Sequence, residues 1–196
     1  MTSSLNLRNK YPGVLLLVVG PSGVGKDSLI DGAKAVLGGN PQFVFPRRII
    51  TRAADAGGED YCTIDESAFE TKEAAGEFAV SWRAHGLAYG IPKTIADDLT
   101  AGRSVIVNVS RAILDQARRQ FPNLRVISIR AGKEVLAGRL AERGRESAAD
   151  IRERLDRATA YDVQGADVIE LVNDGTLESA VGRFVGIVRE TAQPPN

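Results

Sequence analysis

The sequence predicts an α/β fold, with a parallel sheet flanked by helices. Three observations predict it. Apolar runs without polar alternation recur along the chain, helix-period segments separate them, and a glycine-rich loop joins the first run to the first helix.

The elements follow in order. VLLLVV, residues 14–19, is continuously apolar, as a strand buried on both faces is. In KDSLIDGAKAVLGG, Leu29, Ile30, Ala33 and Leu37 recur at helical spacing, and Gly38 and Gly39 end the pattern. SVIVNV (104–109), LRVISIR (124–130) and DVIELVN (167–173) are expected to be three further strands. Helical patterns over 91–101, 111–120, 133–143, 148–161 and 177–191 separate and follow them. Between 43 and 90 the alternation lapses into short extended runs among glycines and aromatics, FVFPRRIIT, YCTI and FAVSWRA. This stretch is expected to be an inserted, partly β lobe. AERGRESAAD is charged and loop-like, in a place where a lid could close over a ligand.

Bulk properties limit the function. The 196 residues suit one domain with its own core, and 43% hydrophobic with 26% charged residues is ordinary for a globular protein. Lys and Arg number 25, as do Asp and Glu, so no basic excess points to nucleic acid or a membrane surface. The single cysteine, Cys62, excludes an internal disulfide and cysteine-rich zinc or redox motifs. The opening MTSSLNLRNKYPG lacks a signal peptide's apolar core, and VLLLVV is far too short to span a bilayer. The expected location is the cytoplasm, as a monomer or homodimer.

The chemistry begins in GPSGVGK. Gly20, Pro21, Ser22, Gly23, Val24, Gly25 and Lys26 fit the GxxxxGK part of the Walker A phosphate loop. Glycines let the backbone curl so that successive N–H groups point at one anion, the following helix adds its positive end, and Lys26 reaches the outer phosphates. Position 27 departs from the pattern: Asp27 stands where a hydroxyl usually ligates Mg²⁺. A carboxylate beside phosphates makes sense with Mg²⁺ between them, directly or through water. The alternative is that Asp27 only favours the first turn of the helix, with Ser28 supplying the hydroxyl.

Beyond the loop, ITR (50–52) with GGEDY (57–61), GEFAVSWRAHGLAYG (76–90), RLAERGRESAADIRERL (139–155) and VNDG (172–175) resemble, in order, segments of the guanylate kinase superfamily. The resemblance implies a P-loop kinase fold over 1–196. Its core is expected at 13–42, 91–140 and 155–191, with an acceptor-binding lobe at 43–90 and a short lid at 141–154. Two carboxylates with which that superfamily holds guanine fall at Val80 and Asn108, and a serine that opens the nucleotide-binding segment falls at Arg48. GPSGVGKDSL, SWRAHGLAYG, VNVSRA and RGRESAADIRERL instead resemble the ribose 1,5-bisphosphate phosphokinases of the same superfamily. That implies ATP-dependent, Mg²⁺-assisted phosphorylation of a small phosphorylated pentose, ribose 1,5-bisphosphate, to 5-phosphoribosyl 1-diphosphate. Guanylate kinase activity and a non-catalytic binding module are the alternatives; the intact loop and lid arginines argue against the second.

For an acceptor with two phosphates, Arg48 and Arg52 lie at i and i+4 of an extended segment and could clamp one of them. Tyr61 and Tyr89 fall where the superfamily holds the acceptor phosphate. Glu59, Asp60 and Asn108 are candidates for the ribose hydroxyls, and Arg83 for the acceptor side. Arg139, Arg143 and Arg154 match the superfamily's lid and post-lid arginines and would neutralise the moving charge with Lys26, while Asp27 would act through Mg²⁺. Asn173 resembles its adenine contact. No strand ends in a Walker B carboxylate, so Asp27 is the expected metal ligand.

Overall fold

The structure is a computed structural model that describes residues 10–52, 61–142 and 162–192. Its larger sheet has five parallel strands in the order β2-β7-β1-β8-β9. β1 (Leu15–Val19) is central, between β7 (Ser104–Asn108) and β8 (Leu124–Arg130), with β2 (Phe43–Val44) and β9 (Val168–Val172) at the edges. Every residue of β1 is fully buried. Its period-two alternation divides the core: Leu15, Leu17 and Val19 join one apolar cluster, Leu16 and Val18 the other.

Helices cover both faces. α1 (Lys26–Leu37) presents Leu29, Ala33 and Leu37 to the cluster that also holds Phe184, Val185 and Val188 of the C-terminal helix α6 (Leu177–Thr191). Thr176 caps α6 by accepting from the Ser179 N–H at 3.3 Å. Phe184 is fully buried in this layer. Phe184→Ala is therefore expected to cost about 3–5 kcal/mol of stability, measured by denaturant unfolding.

The smaller sheet holds the strands β4-β3-β6-β5. These are β3 (Arg48–Ile50), β4 (Tyr61–Thr63), β5 (Phe78–Ala84) and β6 (Leu87–Pro92), and α2 (Glu66–Ala74) lies between β4 and β5 in sequence. The β5–β6 hairpin turns at His85 and Gly86, both with positive φ. The remaining helices are α3 (Ile95–Thr100), α4 (Leu114–Gln120) and α5 (Lys133–Glu142).

Three boundaries differ from expectation. Phe43 and Val44 pair with Ser104 and Val105, so this segment is an edge of the larger sheet and not the start of the smaller one. The helix expected over 91–101 starts at Ile95, because Ile91 and Pro92 complete β6 opposite Val80 and Phe78. The helix expected over 111–120 opens as a 3-10 turn, Arg111–Ile113, capped by Ser110. The helix expected over 148–161 lies outside the described residues. Among the described residues no helix is long and apolar enough to cross a membrane.

Candidate active site

The glycine-rich loop follows the C-terminal end of β1, where parallel α/β sheets place their ligand crevice. Val24 is fully buried and roots the loop in the core. Lys26 Nζ donates to the carbonyls of Gly20 at 2.8 Å and Pro21 at 3.0 Å, which folds the ammonium back along the loop. Gly25 precedes α1 with φ 94°, and a Cβ there would lie 2.7 Å from Asn173 Nδ2. Only glycine suits both the conformation and the contact.

Asn173 follows β9 and is 3% exposed. Its Nδ2 donates to the Val24 carbonyl at 2.8 Å, while its Oδ1 is buried without a partner among the described residues. The side chain thus braces the glycine-rich loop at Val24. Asn173→Ala removes this brace, and a roughly tenfold rise in the ATP KM is expected from the loss of one buried hydrogen bond. An unchanged ATP titration would count against the brace.

Asp27 occupies the first turn of α1. Asn108, at the end of β7 and 7% exposed, donates its Nδ2 to Asp27 Oδ1 at 2.7 Å. The amide thus stands where the acidic strand end is missing and orients the carboxylate contributed by the helix. One N–H of Asn108 is thereby used by Asp27. The contact uses Oδ1 of Asp27. No group of three or more metal-ligating side chains occurs among the described residues. One oriented carboxylate is the donor set that suits Mg²⁺, which keeps several waters and takes most of its remaining ligands from substrate phosphates.

α5 approaches the loop from the other side. Leu136 and Leu140, one helical turn apart and almost fully buried, contact it at Gly23, where a Cβ would sit 2.8 Å from Leu140 Cδ2. Arg139 lies between these anchors. Its Nη1 is buried and has no hydrogen-bond partner among the described residues. A buried guanidinium N–H left unpaired is costly, and an arriving anion would satisfy it.

The acceptor candidates lie on the smaller sheet. Arg48 of β3 pairs in register with Tyr61 of β4, Ile50 with Tyr89 of β6, and Tyr89 with Trp82 of β5. Since side chains alternate along each strand, Arg48, Tyr61, Tyr89 and Trp82 share one face. β3 ends at Ile50, so Arg48 and Arg52 do not share a strand face as expected. Arg52 instead follows a bend tied to β6, where the Ala88 N–H donates to Thr51 Oγ1 at 2.8 Å and the Thr51 N–H to the Ala88 carbonyl at 3.1 Å.

Arg83 corrects the expectation outright. It alternates with Trp82, so it projects from the opposite face. There its guanidinium pairs with Glu73 at 3.1 Å and Glu66 at 3.6 Å on α2 and lies over the Phe69 ring. The Ser81 hydroxyl, at 2.6 Å, holds the Glu73 carboxyl below its ordinary value against the effect of burial, and Arg83 adds to the lowering. Arg83 is a structural partner of α2. Glu59, Asp60, Arg143 and Arg154 lie outside the described residues.

The sequence model of guanylate kinase matches residues 13–190. The chain belongs to the guanylate kinase family. Within the family, it is similar to ribose 1,5-bisphosphate phosphokinase PhnN of Brucella melitensis, 44% identical over 92% of this chain and 94% of the relative. The counterpart in Acidiphilium cryptum is 49% identical over 90% of this chain and 92% of its own length. A bifunctional ribose 1,5-bisphosphokinase-thymidine phosphorylase of Cupriavidus pinatubonensis is 45% identical, but this chain spans 30% of its length. Among solved structures, guanylate kinase from Anaplasma phagocytophilum superposes with a TM-score of 0.67 at 22% identity, over 93% of this chain and 88% of that one. A gluconokinase from Sinorhizobium meliloti gives 0.53 at 19% identity, covering 93% and 94%. These last two likenesses concern the fold. The guanylate kinase family assignment makes the chain a kinase, with the expected parallel sheet flanked by helices.

Two features escaped the sequence reading. Trp82 lies within the SWRAHGLAYG motif, and its two-residue spacing from Val80 marks it as an inward-facing strand residue. The bracing position of Asn173 had no local signal, since it depends on a contact 149 residues away.

Proposed function

We propose that this protein transfers the γ-phosphoryl group of ATP to the 1-phosphate of ribose 1,5-bisphosphate, releasing ADP and forming 5-phosphoribosyl 1-diphosphate. The observation that carries the reading is the character of the acceptor face. Arg48 stands buried among Tyr61, Tyr89 and Trp82, and apolar Val80 occupies the place where the wider family resemblance puts a base-reading carboxylate. A face with cationic and hydroxyl donors suits phosphate oxygens, which only accept. The similarity to the ribose 1,5-bisphosphate phosphokinases supports the same acceptor.

The attacking oxygen of a phosphate is already anionic, so the step needs no general base. A bond forms from that oxygen to the γ-phosphorus as the bond from the γ-phosphorus to the β,γ-bridging oxygen breaks, and ADP leaves with the electron pair. Catalysis is then positioning and charge neutralisation. The loop from Gly20 to Gly25 cradles the donor phosphates, Lys26 swings out to the outer ones, and Arg139 receives the transferring group. Asp27 would hold Mg²⁺, with Ser28 beside it, and the ion would supply positive charge to offset that of the donor phosphates. Arg52, Tyr61 and Tyr89 hold the acceptor, with Glu59 or Asp60 on the ribose hydroxyls, and Arg143 and Arg154 complete the lid. The partner is a small phosphorylated pentose and the setting the cytoplasm.

The test is ADP release over a panel of ribose 1,5-bisphosphate, GMP and gluconate at equal concentration. Turnover is expected with the bisphosphate. Brisk turnover of GMP with none of the pentose would overturn the reading.

A further inference from the structure

Trp82 and Tyr89 stand directly opposite each other on β5 and β6, and their rings stack at 5.2 Å between centroids with only 4° between planes. The Arg48 guanidinium lies over both, 5.5 Å from the Tyr89 centroid and 6.0 Å from that of Trp82. Both distances fall within cation–π range. The group is nearly closed off: Arg48 is 9% exposed and Trp82 8%. Strand pairing sets the ring stack, so a rigid element holds it and not a loop.

We propose that Trp82 is a positioning residue that sets acceptor selectivity. It presses Tyr89 flat and pins the Arg48 guanidinium against the pair. The acceptor side then presents a fixed cation, with the Trp82 and Tyr89 rings engaged by each other and by Arg48 rather than offered to a purine. Two residues earlier, Val80 closes the same face with an apolar side chain that can accept nothing from a base N–H. Val80, Trp82 and Tyr89 pack in one cluster with Val107, Val109 and Ile113. A guanidinium held this way loses little freedom when a phosphate arrives, which favours a small anionic acceptor over a larger stacking one.

This inference rests on the proposed reaction but is tested apart from it. Trp82 is the chain's only tryptophan, so its emission reports the stack directly. Titrating the full chain with ribose 1,5-bisphosphate in the absence of ATP is expected to give a saturable emission change, and GMP none at the same concentrations. In kinetics, Trp82→Leu is expected to raise the KM for the bisphosphate about tenfold with the KM for ATP within about twofold, and Trp82→Phe, which keeps a ring, to recover most of that loss. Arg48→Met leaves the tryptophan in place and serves if the leucine variant does not fold; its emission titration is expected to weaken at least about tenfold. The proposal is overturned by an acceptor KM indifferent to Trp82→Leu, by parallel rises in both KM values, by an unaltered Arg48→Met titration, or by a GMP response as tight as that of the sugar. Failure of the wild-type chain to release ADP with the bisphosphate would instead sink the functional reading itself.

Discussion

Arg139→Met is expected to lower kcat roughly 10³-fold while leaving the protein as stable as before, or slightly more so. The two halves of this result have one cause. Leu136 and Leu140 anchor α5 against the glycine-rich loop, so the packing of its neighbours places Arg139 on this helix. Its Nη1 is buried and unpaired among the described residues, a cost the folded protein bears before any nucleotide arrives. Methionine removes that cost and keeps much of the volume, so thermal unfolding should not fall. The transferring phosphoryl group loses its fork of donors, so single-turnover rates should collapse. Arg139→Lys restores the charge without the paired geometry and is expected to recover only part of the rate. A methionine variant within about threefold of the wild-type rate would remove Arg139 from the mechanism.

Asp27→Asn is expected to raise the Mg²⁺ concentration for half-maximal rate at least about tenfold, and to lower kcat/KM by roughly 10²-fold. The substitution is a sharp one because asparagine keeps the Oδ1 acceptor that Asn108 uses at 2.7 Å and removes only the charge. The sign of the effect should reverse with the metal. Without Mg²⁺ the Asp27 carboxylate repels the donor phosphates, so the variant should bind free ATP as well as the wild type or better. With Mg²⁺ it should bind ATP less well, which calorimetry in the two conditions would show. An unaltered Mg²⁺ titration would leave Asp27 with only its favourable place in the first helical turn, worth about 0.3–1 kcal/mol.

Much of the framework was legible in the residues. A strand buried on both faces is nearly continuously apolar, so β1 and β7 could be read directly, and the glycine spacing of the loop after β1 states its own backbone requirement. The periodicity of α6 gave its bounds, 177–191, to the residue. Where the reading erred, the missing information was pairing. Ile91 and Pro92 look helical until β5 claims them as strand partners, and Phe43 and Val44 look like part of the smaller sheet until β7 does.

The site divides along the same line. The residue types and their order in the chain by themselves predict a phosphate-binding loop with a carboxylate at its end, and a lobe that carries arginines and tyrosines. Tertiary structure alone decided which of those side chains meet. A shift of one residue in strand register sends a side chain to the other face of its sheet. Thus Arg83 pairs with α2 while its neighbour Trp82 stacks beneath Arg48. Asp27 meets Asn108 across 81 residues, and Asn173 meets Val24 across 149. Local propensity carries no record of such contacts, because their energy exists only once the sheet has brought distant strand ends together.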